Sequence, residues 1–390
     1  MRTTGSYERS ATASEEVAAF IPLPLPPVEP AVAIDDHIRE LLGRAEHHLA
    51  RLELAGQLVP SIDWFVYGFV RKEAVVSSQI EGTQATLMDL LNFEAQDPNE
   101  PPHDTDVSEV CNYLDALAYA RTELKRENGL PLSMRLLNET HRHLMRGVRG
   151  AERQPGQPRR SQNWIGGTRP SNAAFVPPPP QALGELLSAF EKYMHAEDDL
   201  PAIVRIGLLH VQFETIHPYL DGNGRIGRLL IALLLEHWGL LSQPLLYLSV
   251  FFKRHRDEYY RRLSAVRTDG DWESWIRYFL EGVAVIADEA IGRARELFAI
   301  VGSDRERVLA SQSSSLMAAR LFEKLPKHPI VTVARVVSLL QTTKPTAAKA
   351  VKALIDARVL VETTGRKRDR SFHYAAYLER LRSGQELDTV

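Results

Sequence analysis

Two helix-forming runs meet at HPYLDGNGR, residues 217–225, and that junction limits what the chain can fold into. The preceding VRIGLLHVQFETI carries apolar residues at helical spacing up to Ile216 and is stopped by Pro218. Helix formers resume at Arg225 and continue to Trp238. Gly222, Gly224 and Gly227 satisfy the letters G-x-G-x-x-G, but a dinucleotide fold needs a strand before those glycines and a βαβ unit around them. A helix–turn–helix junction excludes that reading and points to a mainly α protein.

The chain has 390 residues, 44% of them hydrophobic, enough for two or three domains with buried cores. The longest uninterrupted apolar run, Leu229 to Leu235, is far short of the roughly 20 residues a membrane helix needs. MRTTGSYERSATASEE lacks the apolar core of a signal peptide, so no membrane partner and a cytoplasmic location are expected. One cysteine, Cys111, excludes an internal disulfide and a thiolate-rich metal cluster. A formal net charge of −3 gives no global basic field, so any nucleic-acid contact needs a local patch.

Along the chain, FIPLPLPPVEP marks residues 1–35 as an extended arm, draped rather than folded. Helical spacing begins at Ile38 and returns in VRKEAVVSSQIEG, which stops at Gly82. Further helices are expected over 107–127, 133–145, 180–195, 203–216, 225–238, 258–266 and 271–298. SQNWIGGTRPSNAAFVPPPP, residues 161–180, reads as a β-hairpin with strands NWI and AFV, leaning on the helices or offering an edge to another chain. After residue 300 the order is helix, tight turn, helix and a basic two-stranded wing, that of a winged helix-turn-helix. Lys344, Lys349, Lys352, Arg366, Lys367, Arg368 and Arg370 would supply its basic patch, making DNA a candidate partner. The expected domains are 1–110, an arm and helical region, 111–300, a catalytic core, and 301–390, the winged helix.

The junction itself has two chemical readings. A zinc site built on His217, Asp221, His210 or His237 lacks an H-E-x-x-H and a clear third ligand, and His210 reads as a core residue. A phosphate cradle accounts for more. Glycines 222 and 224 permit positive φ, backbone N–H groups converge at a helix start, and Arg225 and Arg228 lie three apart on the helix that follows. Asp221 would repel a phosphate unless a hard cation such as Mg²⁺ bridged them, and His217 is placed to take a proton from an attacking hydroxyl. The chemistry implied is transfer of a phosphate-bearing group from a nucleotide to a hydroxyl.

His217, Pro218, Tyr219, Asp221, Gly222, Asn223, Gly224, Arg225 and Arg228 resemble the signature of the Fic family, with Tyr219 where Phe is commoner. The resemblance implies a Fic-type helical bundle with a β-hairpin flap, and a protein adenylyltransferase moving AMP from Mg·ATP to a Ser, Thr or Tyr hydroxyl of a target or of itself. By it His217 is the base, Asp221 holds Mg²⁺, and Gly222, Asn223, Gly224, Arg225 and Arg228 bind the nucleotide. Tyr260, with Tyr259 beside it, is the implied adenine contact, and Trp164, Ile165 and Gly166 belong to the implied target-binding flap. SSQIEG resembles the family's inhibitory pattern: Ser77 and Glu81 share a helix face, Gly82 ends the helix, and Glu81 would compete with ATP for Arg228. A bidentate pair of this kind is worth on the order of 1 to 3 kcal/mol, roughly tenfold to a hundredfold in rate. The same glutamate is compatible with AMP removal. A DNA-binding regulator using the core as a nucleotide sensor, and transfer of uridylyl, phosphocholine or phosphate, remain open beside it. A homo-oligomer is also implied, although no self-complementary surface is legible.

Overall fold

A computed structural model describes residues 2–12, 15–58, 61–96, 104–313, 315–365 and 370–383. In chain order the elements are β1 (Gly5–Thr12), β2 (Glu15–Pro22), α1 (Asp36–Leu58), α2 (Ile62–Ile80), α3 (Leu87–Glu94), α4 (Thr105–Lys125), α5 (Met134–Leu144), α6 (Leu183–His195), α7 (Ala202–Ile216) and α8 (Asn223–His237). They continue with α9 (Ser249–Arg254), α10 (Arg256–Asp269), α11 (Trp272–Ala310), α12 (Leu316–Lys324), β3 (Ile330–Thr332), α13 (Val333–Leu340), α14 (Lys344–Asp356), β4 (Val361–Glu362), β5 (Ser371–His373) and α15 (Ala375–Arg382). The protein is mainly α-helical with small sheets, as the spacing predicts. The helix expected over 271–298 runs on to Ala310, and α3 and α9, too short to show a period, were not legible. Among the described residues no helix is long and apolar enough to cross a membrane.

Two compact units interleave along the chain, residues 1–50 with 112–287 and residues 51–111 with 288–390, whereas the sequence divides consecutively near 110 and 300. In the first unit α7 is buried on nearly every side, because AIVRIGLLHVQFETI is apolar around its whole circumference. It packs against α8, where a Cβ on Gly227 would lie 2.3 Å from Glu214 Oε1 and 3.3 Å from Phe213, so a larger residue there would displace the Glu214 carboxylate. Trp275 of α11 donates its Nε1–H to the Gly207 carbonyl at 2.9 Å, closing the other side of α7. His210 sits in the same core, 1% exposed. Its Nδ1 lies 3.1 Å from the Gly227 carbonyl and its Nε2 2.8 Å from the Tyr259 hydroxyl. Burial holds its pKa down to about 3, so it is a neutral packing residue, as read from the sequence.

Two expectations for this unit need correction. Residues 5–22 are not a draped arm but an antiparallel hairpin, Gly5 pairing with Pro22 and Thr12 with Glu15. Strand β2 buries Val17, Ala19 and Phe20, an apolar set too short to stand out beside the prolines that follow. The segment 161–180 forms no two-stranded ladder. Its NWI and AFV pieces meet in a single antiparallel bridge, Ile165 with Phe175, and GGTRPSN folds into a 3₁₀ turn at Pro170–Asn172.

In the second unit α2 carries the SSQIEG segment. Ser77 is fully buried, Glu81 caps the helix at an exposed position, and Gly82 follows with φ +101°, a left-handed turn that ends the helix. The loop beyond is fixed by Thr83, whose hydroxyl donates to Glu109 at 2.9 Å, and by a capping box between Thr86 and Asp89 that starts α3. Arg71 ties α3 back to α2 through a paired contact with Glu94 at 2.8 Å, which also accepts from the Tyr67 hydroxyl at 2.5 Å. At the C-terminal end α12, β3, α13, α14, β4 and β5 follow in the order helix, strand, helix, helix, two strands, with sheet order β3-β5-β4. Helix α14 buries Ala347, Ala350, Val351 and Leu354 and exposes Lys344, Lys349 and Lys352. Arg370, just before β5, lies 3.8 Å from Glu362 of β4, and Arg366, Lys367 and Arg368 lie outside the described residues.

Candidate active site

The junction between α7 and α8 is built on a chain reversal at His217. Its backbone is left-handed, φ 50° and ψ 63°, and its N–H closes α7 on the Phe213 carbonyl at 2.9 Å. For a residue with a Cβ that conformation costs on the order of 1 kcal/mol or more and persists only where the surroundings impose it. Arg159 imposes it. The guanidinium, 2% exposed as a residue, donates to the carbonyls of His217 at 3.0 Å, Pro178 at 2.5 Å, Ser161 at 3.3 Å and Ile216 at 3.5 Å. Its own backbone N–H donates to the Pro218 carbonyl at 2.8 Å. Burial draws the Arg159 pKa down to about 10, still charged at neutral pH, and the carbonyl end of α7 is a favourable place for a cation.

Past the reversal the loop is fixed from inside. Asn223 spans it, accepting the Tyr219 N–H on Oδ1 and donating from Nδ2 to the Tyr219 carbonyl, both at 2.8 Å. The Tyr219 ring is fully buried and stacks on His141 at 3.9 Å between centroids, and its hydroxyl donates to Asn138 Oδ1 at 2.8 Å. Tyrosine in place of phenylalanine is therefore accommodated by one polar partner, and burial keeps the phenol protonated. His141 accepts the Gly156 N–H on Nδ1 at 2.8 Å, so its Nε2–H donates to the Asp221 carbonyl at 3.0 Å. Burial lowers the His141 pKa to about 4, which fixes it as a neutral positioning group.

Gly222 stands at the N-cap of α8 with φ +76°, and a Cβ there would meet Met145 Sδ at 3.0 Å and His141 Nε2 at 3.3 Å. Gly224 departs from expectation: it lies in the first turn of α8 with helical backbone, so a single left-handed glycine opens the cradle. The first turn of the helix still presents N–H groups with no intrahelical acceptor. Arg225 and Arg228 are buried, 3% and 4% exposed, while His217, Asp221 and Gly224 are partly exposed. Asp221 accepts the Gly222 N–H on Oδ1 at 2.7 Å and lies 3.4 Å from Arg153 and 3.6 Å from Arg225. Residues 217–228 thus carry an imidazole, a carboxylate, two guanidiniums and a helix N-terminus, the elements needed to hold a polyphosphate and to move a proton.

Other expected site residues fall elsewhere. Tyr259 is buried against His210, leaving Tyr260, 42% exposed, with Arg256 over its ring at 5.7 Å. Trp164 and Ile165 are partly exposed and Gly166 is exposed, on the strand-like piece that bridges to Phe175. Among the described residues no group of three or more His, Cys, Asp or Glu side chains is placed to hold a metal ion. Arg159, His141 and Asn138 were not legible as site residues, since each acts through a fold-dependent contact far from the loop in sequence.

Residues 39–122 match the Fic/DOC family N-terminal region and residues 131–235 match the Fic/DOC family. A protein adenylyltransferase Fic of Culex quinquefasciatus is 30% identical over 176 residues, 45% of this chain and 32% of its own length. A probable protein adenylyltransferase of Aquifex aeolicus is 31% identical over 125 residues, 32% of each chain. The chain thus spans about a third of the length of the curated relatives it matches. A crystal structure of a Fic family protein from Desulfovibrio desulfuricans G20 superposes with a TM-score of 0.55 over 88% of this chain and 97% of that one, at 19% identity, a likeness of fold.

The buried imidazole of His141 makes stability pH-dependent. Between about pH 6.5 and 4 the unfolded chain binds a proton that the folded protein refuses, so stability falls as pH drops, by up to about 1.4 kcal/mol per unit for this group. In His141→Gln the melting temperature is expected to vary less steeply between those pH values than in the parent. The same slope in both proteins would contradict a neutral, buried His141.

Proposed function

Since the chain belongs to the Fic/DOC family, we propose that it is a protein adenylyltransferase, held back by its own Glu81. The observation that carries the reading is the clamped reversal at His217, which turns the chain from α7 into the loop that starts α8, with His217 partly exposed and Arg225 and Arg228 buried in α8. In the reaction His217 accepts the proton of a Ser, Thr or Tyr hydroxyl as that oxygen attacks the α-phosphorus of ATP. The bond from the α-phosphorus to the β-bridging oxygen breaks, pyrophosphate leaves, and a phosphodiester joins AMP to the acceptor. The N–H groups at Asn223 and Gly224 would hold the α-phosphate oxygens, and Arg225 and Arg228 the β- and γ-phosphates.

Asp221 fits a hard cation. Its carboxylate is partly exposed, faces two guanidiniums and stands one residue before the phosphate cradle. Bound there, Mg²⁺ would offset phosphate charge. Glu81 fits an inhibitor in that the left-handed Gly82 ends α2 directly after it, so the carboxylate sits at an exposed helix end rather than inside a turn. Competition with the γ-phosphate for Arg228 would be its means of action. Tyr260 is retained as the adenine contact, and Trp164, Ile165 and Gly166 as the target-binding edge.

A second reading concerns the C-terminal elements alone, and rests on the three exposed lysines of α14 opposite its buried face. It assigns them to the phosphates of DNA.

Intact-mass spectrometry with Mg·ATP tests the first reading. Glu81→Gly is expected to gain one AMP roughly tenfold to a hundredfold faster than the parent, and Glu81→Gly/His217→Ala to gain none. Equal rates in parent and Glu81→Gly would remove the brake, and transfer surviving in the double variant would remove the base. For the second reading, binding to a random-sequence duplex is expected to weaken with salt, and Lys349→Ala to reduce the log–log slope by about one. No binding at low salt would overturn it.

A further inference from the structure

The N-terminal hairpin makes contacts at both of its ends that a mere arm does not need. At one end it is tied to the corner between α10 and α11. Arg2 pairs with Glu273 at 2.9 Å and donates to the Gly270 carbonyl at 3.0 Å, and the Thr4 hydroxyl donates to the Arg267 carbonyl at 2.8 Å. Along its length, from Phe20 to Glu15 beside the turn, strand β2 grips residues 171–176. The Phe20 N–H donates to the Val176 carbonyl at 2.9 Å, the Glu15 carboxylate accepts the Ser171 N–H at 2.9 Å, and the buried Phe20 ring lies 6.2 Å from that of Phe175.

Backbone alternation gives these contacts a direction. Residues 165 and 175 exchange both backbone hydrogen bonds, Ile165 N–H to Phe175 O at 2.8 Å and Phe175 N–H to Ile165 O at 3.1 Å. Neighbouring residues on extended chain turn their polar groups to opposite edges, so Val176 faces β2 while Trp164 faces away from Phe175, and the chain leaves this extended course at Gly166, whose φ is +68°. Phe175 is fixed on a second side by Arg267, whose guanidinium lies 3.9 Å from its ring centroid. Arg267 also donates to the Thr215 hydroxyl at 3.2 Å and the Glu214 carbonyl at 3.3 Å, two and three residues before His217. A continuous set of contacts therefore runs from β2 through Phe175 and Arg267 to the end of α7.

We propose that the β1–β2 hairpin is a positioning device for the acceptor: it holds the 161–180 segment so that its outer edge, at Trp164, is presented at a set place relative to His217. Phe20 and Glu15 are its positioning residues, and they act on the hydroxyl substrate rather than on ATP. This rests on the adenylyl-transfer reading for the identity of the substrate, while the clamp itself does not.

The test uses the full chain carrying Glu81→Gly, alone and with Phe20→Ala or with Glu15→Ala. Glu15 is partly exposed, so its truncation leaves folding intact if Phe20→Ala does not. Three quantities are read: hydrogen exchange at the amides of Ile165, Ser171 and Phe175, affinity for α,β-methylene ATP, and the rate of AMP attachment to the chain itself. Expected are exchange at least about tenfold faster at those amides with α7 and α8 unchanged, analogue affinity within about twofold, and AMP attachment about tenfold slower. Exchange at the parent rate in both variants would overturn the clamp. Loss of analogue affinity in step with the rate would overturn its restriction to the acceptor, and an unchanged rate despite faster exchange would overturn its part in positioning. If the Glu81→Gly parent attaches no AMP, the transfer reading fails, and exchange and affinity alone decide the clamp.

Discussion

One buried cation determines the shape of the loop at residues 217–225. The guanidinium of Arg159 collects four carbonyl oxygens, two of them at the last residues of α7, and so compels the chain to leave that helix through a left-handed histidine. A lysine would bring a single ammonium where three guanidinium nitrogens, Nε, Nη1 and Nη2, each meet a carbonyl. The charge is tolerated in the interior because every oxygen it meets is a dipole already oriented by backbone geometry, one set of them at a helix C-terminus. With the reversal fixed, Asn223 and Tyr219 can close the inside of the loop, and the start of α8 is left facing outwards.

The groups that shape the loop lie in the interior. His141, Tyr219, Asn223 and Arg159 are all buried and fully engaged with neighbours, and the two imidazoles of this region with depressed pKa, His141 and His210, are held neutral. Of the groups proposed to meet the substrate, His217, Asp221 and Gly224 keep contact with solvent, while Arg225 and Arg228 are buried. Such a site is pre-organised before any nucleotide arrives, so binding energy is not consumed in arranging the loop. The hairpin β1–β2 extends the same logic to the segment 161–180, which has one bridge of its own and gains its order from what it leans on.

Features written in local pattern were legible in the sequence. Helices α7 and α8 and the turn between them follow from apolar spacing, Pro218 and the glycines, and the candidate nucleotide residues were read from the same stretch. The α2 terminus at Glu81 and Gly82 followed from helix periodicity and the glycine. What escaped was written across distance. Arg159 is one arginine in the run PRRSQ, and nothing local says that it will meet carbonyls 57 and 58 residues away. The hairpin β1–β2 was hidden because its strands are weakly apolar and bounded by prolines, and the flap was over-read as a ladder because turn residues and aromatic flanks look alike whether one bridge or several form. Gly224 was assigned a left-handed role that Gly222 alone performs.

The most direct test of the central claim, that the α7–α8 junction directs a hydroxyl to the α-phosphorus of ATP, is to follow the label from ATP. Glu81→Gly would be incubated with Mg·ATP carrying radiophosphorus at the α position in one sample and the γ position in another, and protein-bound label counted after denaturation. The account predicts label retained from the α position alone and lost on His217→Ala. Label retained from the γ position would identify a phosphotransferase and contradict the assignment of Arg225 and Arg228 to a departing pyrophosphate.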